Sequence, residues 1–285
     1  MKPFLGIDLT ANKKNEQFHG EEFLVLKPSA ALSSSLESST EKAEETVARA
    51  KLPLPFRIIQ YVCGLAALLL VSGILRGEVS FAEGYRNAPW IYWGAGICAV
   101  IWLILWLWSR QKSNAVLSTE ESTQTLSHLE SVSDSIYTEL SVPGDAKEVD
   151  ILSFFYKVKD GKIKVCEKGL QIAQYLNPVF KIFSNSENLY LSNLEGKYAF
   201  PLSSITSIHT VKKHIRMIGW NKEEALNKGI YKQYKLTADD YGCVHCKYYH
   251  ILEINHQGDV YGIYFPCYEL PVFEKLTGLK AQQEA

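Results

Sequence analysis

The sequence has little that marks an enzyme. Its 285 residues contain no G-x-S-x-G nucleophile elbow, no G-x4-G-K-[ST] phosphate loop, no H-E-x-x-H pair and no G-x-G-x-x-G dinucleotide turn. No catalytic residue and no cofactor are therefore expected. Net charge is scarce too: 30 basic against 31 acidic residues leave -1 at pH 7. That balance removes the global attraction on which a general nucleic-acid binder relies. A secretory leader is also missing, because MKPFLGIDLTANKKNEQ holds no continuous apolar stretch and no small-residue cleavage site. The first membrane helix is then expected to act as the insertion signal. Of six cysteines, Cys63 and Cys98 lie in apolar runs, and the other four fall in a segment expected in a reducing compartment, so no disulfide framework is expected.

What the chain does contain is two long apolar runs, residues 58–75 and 89–107, separated by a polar loop at 76–87. Each approaches the roughly twenty residues that carry a helix across about 30 Å of hydrocarbon at about 1.5 Å per residue. Both are apolar on every face instead of along one stripe, which argues for membrane helices over core helices. A two-helix transmembrane hairpin over 56–110 is the expectation, with spans at 56–76 and 89–109. The second run carries no charge and the first only Gln60 and Ser72 as polar members. An ion pathway would require an ionisable residue within the membrane, so the hairpin reads as an anchor. Gly64, facing Gly94 and Gly96, is expected to let the helices approach, because small residues are the packing device in lipid. Arg49, Lys51 and Arg57 before the runs and Arg110 and Lys112 after them outweigh Arg76 and Arg86 in the loop, which also carries Glu78 and Glu83. The positive-inside bias then puts both termini in the cytoplasm of a multi-pass protein of the cell membrane. Trp90, Tyr92 and Trp93 at one end, and Trp102, Trp106 and Trp108 toward the other, suit interfacial belts.

The flanks divide further. Residues 1–27 hold two β-prone runs, FLGIDLT and EFLVLK, joined by the turn-rich NKKNEQFHG, and read as a short strand pair that forms a hairpin or adds to another sheet. GIDLT is similar to the first phosphate loop of actin-like ATPases, but Leu9 stands where that loop needs a second glycine, so no nucleotide site is expected there. Residues 28–55, rich in Ser, Ala and Glu, read as a flexible linker or frayed helix, stopped by Pro53 and Pro55. In 111–141 the residues Leu126, Leu129, Val132, Ile136 and Leu140 form a narrow apolar stripe. This predicts a juxtamembrane amphipathic helix that either docks on the following domain or self-associates.

From residue 146 the period changes from helix to strand. Candidate strands are 149–158, 162–166, 179–183, 189–194, 197–201, 205–212, 231–236, 248–255 and 260–265, with turns at Asp160-Gly161, Glu195-Gly196 and Gly258-Asp259. Leu270, Phe273, Leu276 and Leu279 then predict a closing amphipathic helix. The fold class expected for 146–280 is α+β or mainly β, a strongly bent antiparallel barrel closed by a C-terminal helix. FKIFSNSENLYLSNLEGKYAFPLSSITSIHTVKK resembles a bacterial pleckstrin-homology-like domain, in which FPLSSITSI turns a corner between strands and Ile205 and Ile208 point to the core. A membrane hairpin before such a domain is similar to the YcxB-like bacterial membrane proteins. The resemblance covers roughly residues 150–279. It implies a binding or scaffold module whose barrel is a platform for lipid headgroups, peptides or neighbouring domains. The insert at 219–229 and the N-terminal strand pair depart from that pattern.

Three clusters are candidate sites. Lys157, Lys159, Lys162 and Lys164 flank the first hairpin, and Lys212, Lys213 and Arg216, with His214, Lys222, Lys228, Lys232 and Lys235, crowd a second basic region. Beside an anionic leaflet each exposed cation adds about 1 kcal/mol, although lysines on strand edges also serve against edge-to-edge pairing. Cys243 and Cys246, with His250, His256 and Cys267 downstream, are the one metal-like constellation, but only one pair has zinc spacing. Asp239, Asp240 and Tyr241 near His250 are acid–base types that sequence alone does not bring together. Three readings follow: a membrane-anchored binding or scaffold module with lipid or protein partners, an oligomeric component of a transport or sensing system, and a zinc-dependent sensor or enzyme.

Overall fold

The computed structural model describes residues 1–9, 18–75, 85–86, 89–165, 179–217, 229–238 and 243–283. The chain divides into two units, residues 30–134 and residues 1–29 with 135–285. The loop expected at 76–87 lies largely outside the described residues, as do Lys222, Lys228, Asp239, Asp240, Tyr241 and nearly all of the insert at 219–229.

The first of these units is helical. It begins with α1 (Ala30–Ala50): of the flexible linker or frayed helix expected over 28–55, the Ala- and Glu-rich sequence forms a helix, 21 residues long. Ser39, Ala43, Thr46 and Ala50 are buried at three- and four-residue spacing, a stripe of small residues that lets α1 pack closely. Its C-terminal end is held where the Lys112 ammonium donates to the Lys51 carbonyl at 2.7 Å, a cation placed where helix carbonyls are unsatisfied. After Pro53, α2 (Leu54–Leu75) starts with Pro55 in its first turn, where a missing N–H costs nothing.

Across from α2 packs α3 (Pro89–Leu117), 29 residues that are long and apolar enough to cross a membrane. Trp90, Trp93, Ile97 and Val100 on α3, and Tyr61, Val62, Leu65 and Leu68 on α2, are exposed. α3 runs eight residues past the predicted end at 109, and α4 (Glu120–Glu139) follows after a break at Ser118-Thr119, so the helix expected from 111 starts later. Gly64 packs against Trp102 and not, as expected, against Gly94 or Gly96. A Cβ on Gly64 would lie 2.8 Å from the Trp102 indole, whereas one on Gly94 meets nothing within 4 Å. Gly64 therefore accommodates a tryptophan on α3, and Gly94 has no packing role among the described residues.

Among the described residues the other unit takes the last turn of α4, 17 short strands and a C-terminal helix. In chain order they are β1 (Lys2–Pro3), β2 (Leu5–Asp8), β3 (Phe18–His19), β4 (Leu24–Leu26), β5 (Lys147–Asp150), β6 (Phe154–Lys159), β7 (Lys162–Val165), β8 (Val179–Ser184), β9 (Asn188–Asn193), β10 (Gly196–Pro201), β11 (Ile205–Val211), β12 (Ile215–Met217), β13 (Thr237–Ala238), β14 (Val244–Cys246), β15 (Tyr249–His256), β16 (Asp259–Pro266), α5 (Leu270–Thr277) and β17 (Ala281–Gln283). They form four sheets: β1-β16-β15-β11-β17, β4-β10-β9-β8-β5, β12-β14-β13 and β3-β2-β6-β7.

The two five-stranded sheets bury one core. Alternation along the strands supplies it, with Phe180 and Ile182 from β8, Leu189 and Leu191 from β9, and Tyr198 and Phe200 from β10. Ile205 and Ile208 are three residues apart yet both buried, because a register shift between Ile205 and Ser207 inserts one residue. α5 closes on the same core: Phe273 is fully buried and stacks on Phe265 with centroids 3.9 Å apart. It ends at Gly278, whose left-handed backbone lets its N–H donate to the Glu274 carbonyl at 2.9 Å.

The N-terminal strands add to these sheets. β1 pairs in parallel with β16, β4 pairs antiparallel with β10, and β2 pairs in parallel with β6. Phe4 has no exposed surface and meets Phe180, Tyr198 and Phe200 at centroid distances of 5.9, 5.2 and 5.3 Å. A Cβ on Gly196 would lie 2.6 Å from Leu24, so β4 closes against β10 only over a bare Cα.

Two strand expectations are corrected. The run 149–158 is two strands in different sheets, broken at the buried Ile151, Leu152 and Ser153. The run 231–236 is mostly a 3-10 turn over Gly229–Tyr234. In the amphipathic stripe Ile136 and Leu140 are buried while Leu126 is exposed. Tyr137 lies under the Lys181 ammonium at 4.4 Å, and the Glu139 carboxylate accepts from Ser29 N–H and hydroxyl at 3.1 Å each.

Candidate functional site

The β6–β7 hairpin turns through Asp160 and Gly161, whose φ values are +54° and +69°. Two consecutive left-handed residues suit a type I′ hairpin and pin the register. Lys157 stands directly opposite Lys164, and Lys159 opposite Lys162. Opposed residues share a face, and positions two apart share it too, so the four lysines occupy one face of the ribbon. All four are exposed, and none makes an ion pair among the described residues. Like charges directly opposite one another destabilise a ladder. The arrangement is therefore a local concentration of positive charge with no carboxylate partner among the described residues.

The second basic region is less coherent. Lys212 is exposed and Lys213 half-buried in the turn after β11, and Arg216 is half-buried on β12 opposite His245. Lys232 and Lys235 are exposed at the 3-10 turn.

Among the described residues no three His, Cys, Asp or Glu side chains gather to hold a metal ion. Cys243, Cys246 and Cys267 are all buried. Interaction with Cys267, and then burial, push the Cys246 thiol well above its usual range.

His250 stacks on Phe265 at 5.6 Å, and its Nδ1 lies 3.2 Å from the Thr210 hydroxyl. Its Nε2 is buried with no hydrogen-bond partner among the described residues. Burial pushes its pKa down to about 4, against a smaller opposing pull from Glu274. His250 is a neutral core imidazole.

Other polar groups are structural. The buried Tyr268 hydroxyl donates to Asp150 Oδ2 at 2.7 Å, and the Asp150 N–H donates to Glu269 Oε1 at 3.1 Å. These bonds tie β5 to the turn before α5, and the Tyr268 phenol is raised far above its usual range by burial and by Asp150. Ser207, His209 and Glu253 sit together, but both partners meet the same ring nitrogen, His209 Nε2, at 2.7 and 2.9 Å. A relay needs one partner on each nitrogen, so this trio is not a nucleophile system.

Sequence reasoning missed one close pair. His245 Nδ1 lies 2.8 Å from His214 Nε2 on the exposed side of the β12-β14-β13 sheet. The two residues are 31 positions apart, so no local spacing marks them. No family model, no curated protein and no solved structure matches the chain.

Proposed function

We propose that this chain is a membrane-anchored, non-catalytic binding module, whose pleckstrin-homology-like β domain engages the anionic surface of the bilayer that holds its anchor. In this reading α2 and α3 form a two-span hairpin with both termini in the cytoplasm, as in the YcxB-like bacterial membrane proteins. The observation that carries it is the register of β6 and β7, which opposes Lys157 to Lys164 and Lys159 to Lys162 with no carboxylate partner among the described residues. A surface of anionic headgroups supplies the missing counter-charge, at about 1 kcal/mol per lysine near the leaflet. The apolar α3 supports the anchoring, since a tethered domain meets the leaflet at high effective concentration. The closure of α5 on the two-sheet core supports the domain resemblance.

Trypsin tests this reading. In nanodiscs of anionic lipid the full chain should be cut at the β6–β7 lysines several-fold more slowly than in zwitterionic nanodiscs. Equal cleavage in the two would overturn it.

A further inference from the structure

His214 and His245 hold a geometry that neither the core nor the lysine hairpin explains. β14 is the central strand of its sheet, with Arg216 of β12 opposite His245 on one side and Thr237 of β13 on the other. Ile215, Met217, Val244 and Cys246 turn inward and are buried. Alternation therefore leaves His245 on the outer face, and His214, just before β12, is exposed beside it. The facing nitrogens are 2.8 Å apart, with ring centroids at 4.9 Å.

We propose that His214 and His245 form a two-imidazole site for a divalent transition-metal ion. Two nitrogens about 2.0–2.1 Å from one ion lie about 2.9 Å apart at a right angle and about 3.4 Å apart at the tetrahedral angle. The separation of the two nitrogens is therefore within about half an ångström of that in a metal bite, and the rings turn so that both lone pairs meet the ion. As the pair stands, one ring donates an N–H to the other. Binding requires both facing nitrogens as lone pairs, so the donating ring carries its proton on its other nitrogen instead. That change of tautomer releases no net proton from a neutral pair. Burial, and then the neighbouring His245, hold the His214 pKa below its usual value, which keeps the ring neutral at pH 7. Imidazole ligands select zinc, copper or nickel over magnesium or calcium. Among the described residues no third acidic or sulfur ligand joins.

The test is calorimetric titration of Zn²⁺ into the full chain, purified in detergent without an affinity His-tag and stripped by chelator. One saturable site is expected. His214→Gln keeps hydrogen-bonding capacity but loses the ligand nitrogen, and should weaken binding at least about tenfold, since even outer-shell losses cost about 10–100-fold. His245→Gln should do the same. Cys246→Ser should leave binding unchanged. No stoichiometric Zn²⁺ binding, or a His214→Gln protein that melts and binds Zn²⁺ as the native chain does, would overturn the proposal.

Discussion

Lys157 and Lys164 face each other across the β6–β7 ladder, and Lys159 and Lys162 repeat the juxtaposition two pairs nearer the two-residue turn. Replacing Lys164 by glutamate turns one repulsive pair into an attractive one. Cross-strand pairs are worth about 0.2–1 kcal/mol, so Lys164→Glu should stabilise the domain by a few tenths to about 1 kcal/mol at low salt, and less at high salt as screening grows. Urea unfolding at two ionic strengths measures this. A destabilised variant would mean that the four lysines do not share a face.

Phe4 should be a keystone despite lying at the N-terminus. It is fully buried among Phe180, Tyr198 and Phe200, and truncating a buried phenylalanine typically costs about 3–5 kcal/mol. Phe4→Ala should lower the urea midpoint accordingly. Loss of under about 1 kcal/mol would show that the N-terminal strands are accessory.

Strict alternation made β8, β9 and β10 readable, and Asp160-Gly161 announced the hairpin that sets the lysine register. The split of 149–158 was hidden because Ile151, Leu152 and Ser153 are all buried where the chain changes sheets, and a continuous buried run looks the same whether or not it does so. α1 was hidden because its buried face is made of Ser39, Ala43, Thr46 and Ala50, which carry no apolar signature. The pairings of β1 with β16 and of His214 with His245 join segments remote in sequence, and local pattern does not encode them.

His250 should make stability pH-dependent on the acid side. Its folded pKa of about 4 lies below the ordinary 6.5 of the unfolded chain. Above pH 6.5 neither state binds the proton, and stability is full. Between pH 6.5 and 4 only the unfolded state gains it, so stability falls as pH drops, by up to about 3 kcal/mol, and levels off below the folded pKa. His250→Gln should flatten that slope in urea midpoints measured from pH 7.5 to 4. An unchanged slope would place the titration elsewhere.

Gly64 and Gly94 should differ in the packing of α2 on α3. Gly64→Ala pushes a methyl toward the Trp102 ring at 2.8 Å, whereas Gly94→Ala enters open space. Thermal unfolding in detergent, followed by tryptophan fluorescence, should show Gly64→Ala destabilised and Gly94→Ala close to native. Equal loss at both would restore a glycine–glycine contact.

The central claim is that the lysine face of β6–β7 rests on an anionic leaflet. The most direct measurement is the rate at which a water-soluble amine-acylating reagent modifies Lys157, Lys159, Lys162 and Lys164, read by mass spectrometry on the full chain in nanodiscs. The account predicts that phosphatidylglycerol slows all four several-fold relative to phosphatidylcholine, that high salt removes the difference, and that Lys27, on the N-terminal segment, reacts alike in both. Equal rates at the four hairpin lysines in the two lipids would contradict it.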